Sequence, residues 1–455
     1  MATKTIFECQ KCGYQSPKWL GRCPDCAQWN SLIEEAFGGE PGKREYNAKE
    51  IAFSSKPQKL SEIKTEQFLR ASTKIGELDR VLGGGLVKGS IVLIGGEPGI
   101  GKSTLMLQAS NIISKDEKVL YISGEESIRQ IKLRSERLSV TSDNLYLVNE
   151  TNLDLILDYI KKLKPYLVII DSIQIVYNPS FSQSPGTVTQ IRESAGALTA
   201  LCKSLGVSVF IIGHITKEGF IAGPKVLEHI VDSVIYIEGE KRSALRILRA
   251  IKNRFGPTDE IGIFSMSSSG LTEVTDPSGI FISTTRDKAL SGTSIVAAIE
   301  GTRPLLVEIQ ALVSSSNFGM ARQRSMGLDL NRMLLLIAVI EKNIGLNLAN
   351  YDVFLNIVGG VKLNEPASDL AACIAIISSF KEKPIRQDSV IIGEVGLTSE
   401  VRGVSQMQAR VNEARRLGFK RCVIPKSDIN GLADISGIDL IGVTNIKEAL
   451  DHALL

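Results

Sequence analysis

From about residue 63 to residue 270, short apolar runs alternate with amphipathic stretches, a pattern that predicts the strands and helices of an α/β sheet. The runs at 90–95, 119–123, 167–171, 207–213, 233–238 and 245–251 read as strands, and 103–114 and 187–205 read as helices between them. A Ser/Gly stretch at 265–270 is expected to close this unit. A second α/β pattern begins near 290, with helices predicted at 331–342, 368–379 and 406–417. Residues 36–62 are polar and rich in Gly, Pro and Lys without periodicity, which reads as a linker. The expected organisation is therefore a small module at 1–35, the linker, a core domain at 63–270 and a second domain at 271–455.

Composition changes this picture little. A chain of 455 residues exceeds what one hydrophobic core organises, and 43% hydrophobic with 23% charged residues suits globular folding rather than disorder. The net charge of +3 is too small to announce a polyanionic partner, so any basic face must be local. No stretch approaches the roughly 18 apolar residues of a membrane helix, and the start lacks a secretory apolar run; a cytoplasmic location with no membrane partner is expected.

Four of the seven cysteines, Cys9, Cys12, Cys23 and Cys26, crowd into the first tenth of the chain as two C-x2-C knuckles. Four thiolates at this spacing can close a tetrahedral site around a structural Zn2+, with no open position for catalysis. A disulfide pair or a redox C-x-x-C is the rival reading, disfavoured in a reducing compartment. Trp19 and Trp29 are expected to cap the site hydrophobically or to anchor a partner.

After the apolar run at 91–94 comes Gly96-Glu97-Pro98-Gly99-Ile100-Gly101-Lys102-Ser103-Thr104, a complete GxxxxGKS loop leading into a helix. In such a loop backbone N–H groups wrap the phosphates of ATP, Lys102 reaches the β- and γ-phosphates, and the Ser103 hydroxyl ligates Mg2+. Asp171, ending a buried strand, is the candidate second carboxylate near the metal; capping the next helix is its bland alternative. Glu125, at the tip of the strand 119–123, is assigned as general base, with Glu126 as rival. His214 ends another strand, where a hydrogen bond to the γ-phosphate would report its loss.

The cysteine knuckles, the phosphate loop and the string Lys252-Asn253-Arg254-Phe255-Gly256 together resemble the bacterial RadA (Sms) DNA-repair ATPases over nearly the whole chain. The resemblance implies a RecA-like core in a hexameric ring that binds single-stranded and branched DNA and promotes branch migration alongside RecA. It also implies that Lys252 and Arg254 reach the ATP site of a neighbouring subunit; two cations one residue apart on an extended strand point the same way. Loops at 177–187 and 216–225 match the positions at which RecA-like proteins present DNA-binding loops to the ring axis. Lys217 and Lys225 lie in the second and Arg192 just beyond the first, while Phe181 and Phe220 are candidates to stack on bases.

The C-terminal stretch containing Gly393-Glu394-Val395-Gly396-Leu397-Thr398 and Val401-Arg402-Gly403-Val404 resembles the proteolytic domain of Lon proteases. Ser368 falls near the nucleophile position, but Gln408 occupies that of the activating lysine, so no peptidase activity is expected. Ser368 reads instead as the N-cap of the following helix. Lys362, Arg402, Arg410, Arg415, Arg416, Lys420 and Arg421 offer a basic surface. An ATP-dependent Lon-like protease and an ATP-driven protein-binding switch are the alternatives to a DNA-dependent ATPase and helicase.

Overall fold

The computed structural model of the chain describes residues 4–9, 14–25, 27–37, 70–214, 224–239, 244–276, 278–282, 290–316, 321–360, 362–432 and 435–455. It divides into two compact units, Met1–Glu273 and Val274–Leu455.

Within the first unit the strands Lys4–Cys9, Gln15–Ser16 and Leu32–Phe37 form a small antiparallel sheet. The 36–62 linker lies, beyond Phe37, outside the described residues.

A nine-stranded sheet dominates the rest of the unit, in the order Gly270–Glu273, Ile261–Ser267, Leu245–Asn253, Ser233–Glu238, Ile91–Gly96, Ser208–His214, Leu167–Asp171, Val119–Ser123 and Leu145–Asn149. The last six are parallel and the first three antiparallel. The central strands are continuously apolar because both faces are covered. One face, including Val92, Ile94, Tyr121, Ile169 and Phe210, packs with Leu105, Met106 and Ala109 of the helix Lys102–Ile113. The other, including Leu93, Ile122, Ile170 and Ile211, meets Leu153–Leu163 and Val188–Leu205. Register then decides where chemistry collects: His214 pairs with Gly96 and Ser123 with Asp171, so these strand ends share one edge. In open parallel sheets that carboxyl edge is where ligands bind.

Two features depart from the sequence pattern. The edge strand Leu145–Asn149 is only half-buried, so no strong apolar run marks it. The 265–270 stretch does not end the sheet; Ile261–Ser267 turns through Ser268 and Ser269 into Gly270–Glu273, helped by Gly270 at φ 111°.

The second unit holds a four-stranded sheet ordered Thr293–Glu300, Arg303–Ser315, Tyr351–Ile357, Gln323–Met326, and a parallel three-stranded sheet of Ser389–Ile391, Arg421–Pro425 and Asp439–Val443. Leu330–Val339, Asp369–Lys381, Met407–Arg416 and Ile446–Ala453 are its principal helices. Among the described residues no helix is long and apolar enough to cross a membrane.

Candidate active site

The loop 96–104 joins the strand Ile91–Gly96 to the helix Lys102–Ile113. Gly99 and Gly101 take φ of 77° and 118°, in the left-handed region that disfavours side chains. A Cβ at Gly101 would also stand 2.6 Å from Met266 Cε, so the 261–273 hairpin closes on the loop. Arg246, 8% exposed, braces it from the strand Leu245–Asn253, two strands away, by donating Nε–H to Ile100 O at 3.1 Å. Lys102 Nζ donates to Gly96 O at 2.7 Å and Glu97 O at 2.9 Å inside the cradle. Burial pulls its ammonium down to about 8, against the opposing pull of Asp171 and Glu125. A lysine buried among loop carbonyls, beside backbone freed by glycine, suits a polyphosphate and its metal.

Asp171 is 6% exposed at its strand end, and its Oδ2 accepts a 2.5 Å hydrogen bond from the buried Tyr121 hydroxyl. Burial and the adjacent carboxylate hold that phenol well above its ordinary range, so it remains a donor.

Glu125 and Glu126 separate cleanly. Glu126 turns toward the helix Ile128–Arg137, where its carboxylate pairs with Arg134. Glu125 faces the strand ends: Ser172 Oγ donates to its Oε1, and His214 Nε2 lies 3.2 Å from the same oxygen. The hydrogen bond from His214, then that from Ser172, holds Glu125 down to about 2. Lys102, Asp171, Glu125 and His214 are thus brought to one edge of the sheet.

Lys252 and Arg254 are not at that edge. Lys252 pairs with Val234 in register, and the Arg254 N–H donates to Asp232 O, level with Ile91. From Ile91 to Gly96 is about 16 Å of strand at ~3.3 Å per residue. Lys252 Nζ donates to the carbonyls of Glu228 and Val231, and Arg254 pairs with Asp232 Oδ1 at 3.4 Å. Asp232, 2% exposed, also accepts from Lys203 Nζ at 2.7 Å and from the Ile91 N–H at 3.1 Å. Gly256 packs against Gly83, where a Cβ would meet Gly83 Cα at 3.0 Å; this close approach seats the 252–256 turn.

The 177–187 loop is described, and Phe181 in it is half-buried. It carries no charged residue, and Arg192 beyond it pairs with Glu193. Lys217 and Phe220 of the second loop, and the Lys225 side chain, lie outside the described residues.

In the N-terminal module Cys9 and Cys23 are buried in one small cluster with Leu32, packed by Phe7 and Leu20. Each opens an equivalent turn: Cys9 N–H donates to Tyr14 O and Cys23 N–H to Gln28 O, both at 2.9 Å. Two soft thiol donors converging from like turns fit a zinc-type site, although Cys12 and Cys26 lie outside the described residues. Trp19 and Trp29 do not join the apolar cluster around the described cysteines, though the Trp19 indole N–H donates to Leu32 O at 3.1 Å. They are 54% and 67% exposed and flank Gly21, because Phe7, Leu20 and Leu32 already fill the core.

In the C-terminal unit Ser368 is fully buried and donates Oγ–H to Glu365 O at 3.0 Å. It makes no side-chain cap to the following helix, contrary to the sequence reading, because that hydroxyl turns back on its own 3-10 turn. Gln408 is exposed, so the two positions form no nucleophile–base pair. The expected basic surface is also reduced. Arg410 is 1% exposed and clamped to Glu365, while Arg416 is tied to Glu413 and Asp276, and Arg402 to Glu400.

Sequence reasoning passed over Tyr121, Ser172, Asp232 and Arg246. Arg246 alone carried a signal, as one of the cations interrupting the apolar run of its strand.

The chain is similar to known proteins over nearly its whole length. A family described as Rubredoxin metal binding domain matches residues 7–34, AAA domain matches 57–219, and Subunit ChlI of Mg-chelatase matches 336–428. The DNA repair protein RadA of Bacillus subtilis (strain 168) is 50% identical over 459 residues, covering 99% of each chain. That of Halalkalibacterium halodurans is 50% identical over 452 residues, with 99% of each chain covered. The one from Streptococcus pyogenes serotype M1 is 48% identical over 448 residues, covering 98% of each. With a RecA-like P-loop ATPase core between a zinc-ribbon module and a Lon-protease-like α/β domain, this chain belongs to the RadA family of DNA repair proteins.

Proposed function

We propose that the chain is a DNA-dependent ATPase that works as a ring-shaped helicase or translocase, a hexamer, on single-stranded and branched DNA. It extends recombination intermediates by branch migration in concert with RecA. Within one subunit the residues 96–104 hold the nucleotide and Lys102 holds its β- and γ-phosphates. Ser103 and Asp171 would hold Mg2+, which neutralises phosphate charge when bound. Glu125 orients the attacking water, and its bond to His214 gives the γ-phosphate a group to rearrange. Cys9, Cys12, Cys23 and Cys26 hold a structural Zn2+ that keeps the N-terminal module folded for docking.

The observation that carries the ring reading is the distance between the two halves of the phosphate chemistry. By register Lys252 sits three residues of strand and Arg254 five residues away from Gly96, and both side chains are tied to Glu228, Val231 and Asp232 rather than turned to their own nucleotide. A head-to-tail neighbour brings such a face against the next P-loop, and repeated contacts of that kind close into rings. Six copies would also concentrate the loop cations on one axis, which reconciles DNA binding with a net charge of only +3.

An ATPase assay with and without single-stranded DNA, run beside a mass measurement of the nucleotide-bound assembly, tests the proposal. Stimulation by DNA in a ring-sized particle supports it. A monomer with turnover indifferent to DNA favours the protein-binding switch instead.

A further inference from the structure

From the nucleotide site to the 177–187 loop the chain runs unbroken. Asp171 ends its strand, Ser172 donates to Glu125, and the 3-10 turn Ile173–Ile175 leads on to Tyr177, whose N–H donates to Thr151 O at 2.9 Å. The far end of the loop returns at Thr187, which caps the helix Val188–Leu205. Between these ends lie Asn178-Pro179-Ser180-Phe181-Ser182-Gln183-Ser184-Pro185-Gly186, a composition with little to pack.

One side chain takes the place of a core. Gln190 is 0% exposed, in the first turn of the helix, and its amide is spent on the loop backbone. Its Oε1 accepts from the Asn178 N–H at 2.8 Å, and its Nε2 donates to Gln183 O at 2.8 Å and to Asn178 O and Phe181 O, each at 3.2 Å. A buried amide bonded this fully is costly to disrupt, and no step of phosphate chemistry calls for it. Its consequence is shape: residues 178–183 are gathered around one amide while Pro179, Ser180 and Ser182 remain exposed at the tip.

We propose that Gln190 is a positioning residue that makes the loop a stiff lever, so that a nucleic-acid strand displacing the tip moves Ser172 and, through it, the Glu125 carboxylate. The inference rests on the reading that this loop grips single-stranded DNA. Without the amide the tip yields locally and the push is absorbed before it reaches Ser172.

The test uses the full chain and an oligothymidylate. Gln190→Leu keeps the bulk and deletes all four bonds. The ratio of ATP turnover with oligonucleotide to turnover without it is expected to fall at least about fivefold, with oligonucleotide affinity falling less. A ratio equal to that of the parent overturns the proposal. Ser180→Glu combined with Ser182→Glu, at the exposed tip, tests the underlying reading separately. If that pair leaves oligonucleotide affinity unchanged, the loop is not the grip and both ideas fail. If the pair weakens binding while Gln190→Leu behaves as the parent, only the lever fails. Should Gln190→Leu not fold, hydrogen exchange in the parent decides. Oligonucleotide binding must change exchange at 178–183 and at 124–126 together, and a change confined to the loop contradicts the lever.

Discussion

His214 Nε2 and Glu125 Oε1 lie 3.2 Å apart, joining the end of one central strand to the tip of another two strands away. Ser172, which follows the intervening strand Leu167–Asp171, donates to the same carboxylate oxygen, so Glu125 is oriented from the ends of two strands, that one and Ser208–His214. Its neighbour Glu126 is committed to Arg134.

Glu125→Gln should therefore lower ATP turnover by about 10²–10⁴-fold while nucleotide binding persists, since a positioned base contributes on that scale. Glu126→Gln should stay within a few-fold of the parent. Steady-state phosphate release beside a nucleotide-binding titration checks both, and equal losses in the two variants would remove the assignment.

Tyr121 and Asp171 share a buried 2.5 Å hydrogen bond that leaves Asp171 Oδ1 for other work. Tyr121→Phe deletes the donor without changing shape. We expect the Mg2+ concentration for half-maximal turnover to rise about tenfold or more, for the loss of one hydrogen bond to a charged group. Thermal unfolding followed in parallel separates this from a folding defect, and an unchanged Mg2+ curve would show that the bond does not orient the carboxylate.

Lys102 gives the pH dependence. Burial holds its free-protein value near 8, so the ammonium is present below that pH and lost above it. Bound polyphosphate favours the charged form and raises the value again, so binding above pH 8 takes up a proton. Nucleotide affinity should be insensitive to this group below about pH 7 and weaken above pH 8, by at most about tenfold per pH unit. Glu125, held near 2, stays ionised throughout and adds no acid limb in that range. Calorimetry in buffers of different ionisation heat would reveal the proton uptake at pH 9; its absence there, with flat affinity, contradicts the electrostatics.

Removal of zinc should unfold the N-terminal module before it affects the ATPase. Cys23 sits at 1% exposure in a core of few apolar residues, too small to hold without its metal. Cys23→Ser is expected to lose bound zinc, measured per chain by elemental analysis, while DNA-free ATP turnover stays within about twofold. Unchanged zinc content would dismiss the module as a metal site.

The parts legible in the sequence are those where the apolar pattern stops abruptly. Asp171 and His214 each follow a block of four apolar residues, directly or after one glycine, and the glycines of 96–104 announce a turn that few other residues can make. What stayed hidden is polar chemistry inside elements. Tyr121 and Gln190 look like ordinary members of a strand and a helix until register sets one beneath Asp171 and folds a loop over the other. Asp232 precedes its strand by one residue and resembles a surface acid, yet the pairing of Ile91 beside it leaves it buried with three donors. The half-buried strand Leu145–Asn149 lacks the two-faced burial that makes its neighbours conspicuous.

Sharing of one ATP site between adjacent subunits is the central claim, and co-assembly of two inactive variants tests it most directly. Lys102→Ala removes the phosphate lysine and Arg254→Ala removes the cation offered to the neighbour, so each alone should hydrolyse little ATP. Mixed equally in one ring, about a quarter of the interfaces pair an intact P-loop with an intact Arg254, and turnover should return to about that fraction of the parent. A mixture as inactive as its components, or Arg254→Ala subunits working at the parental rate alone, would contradict it.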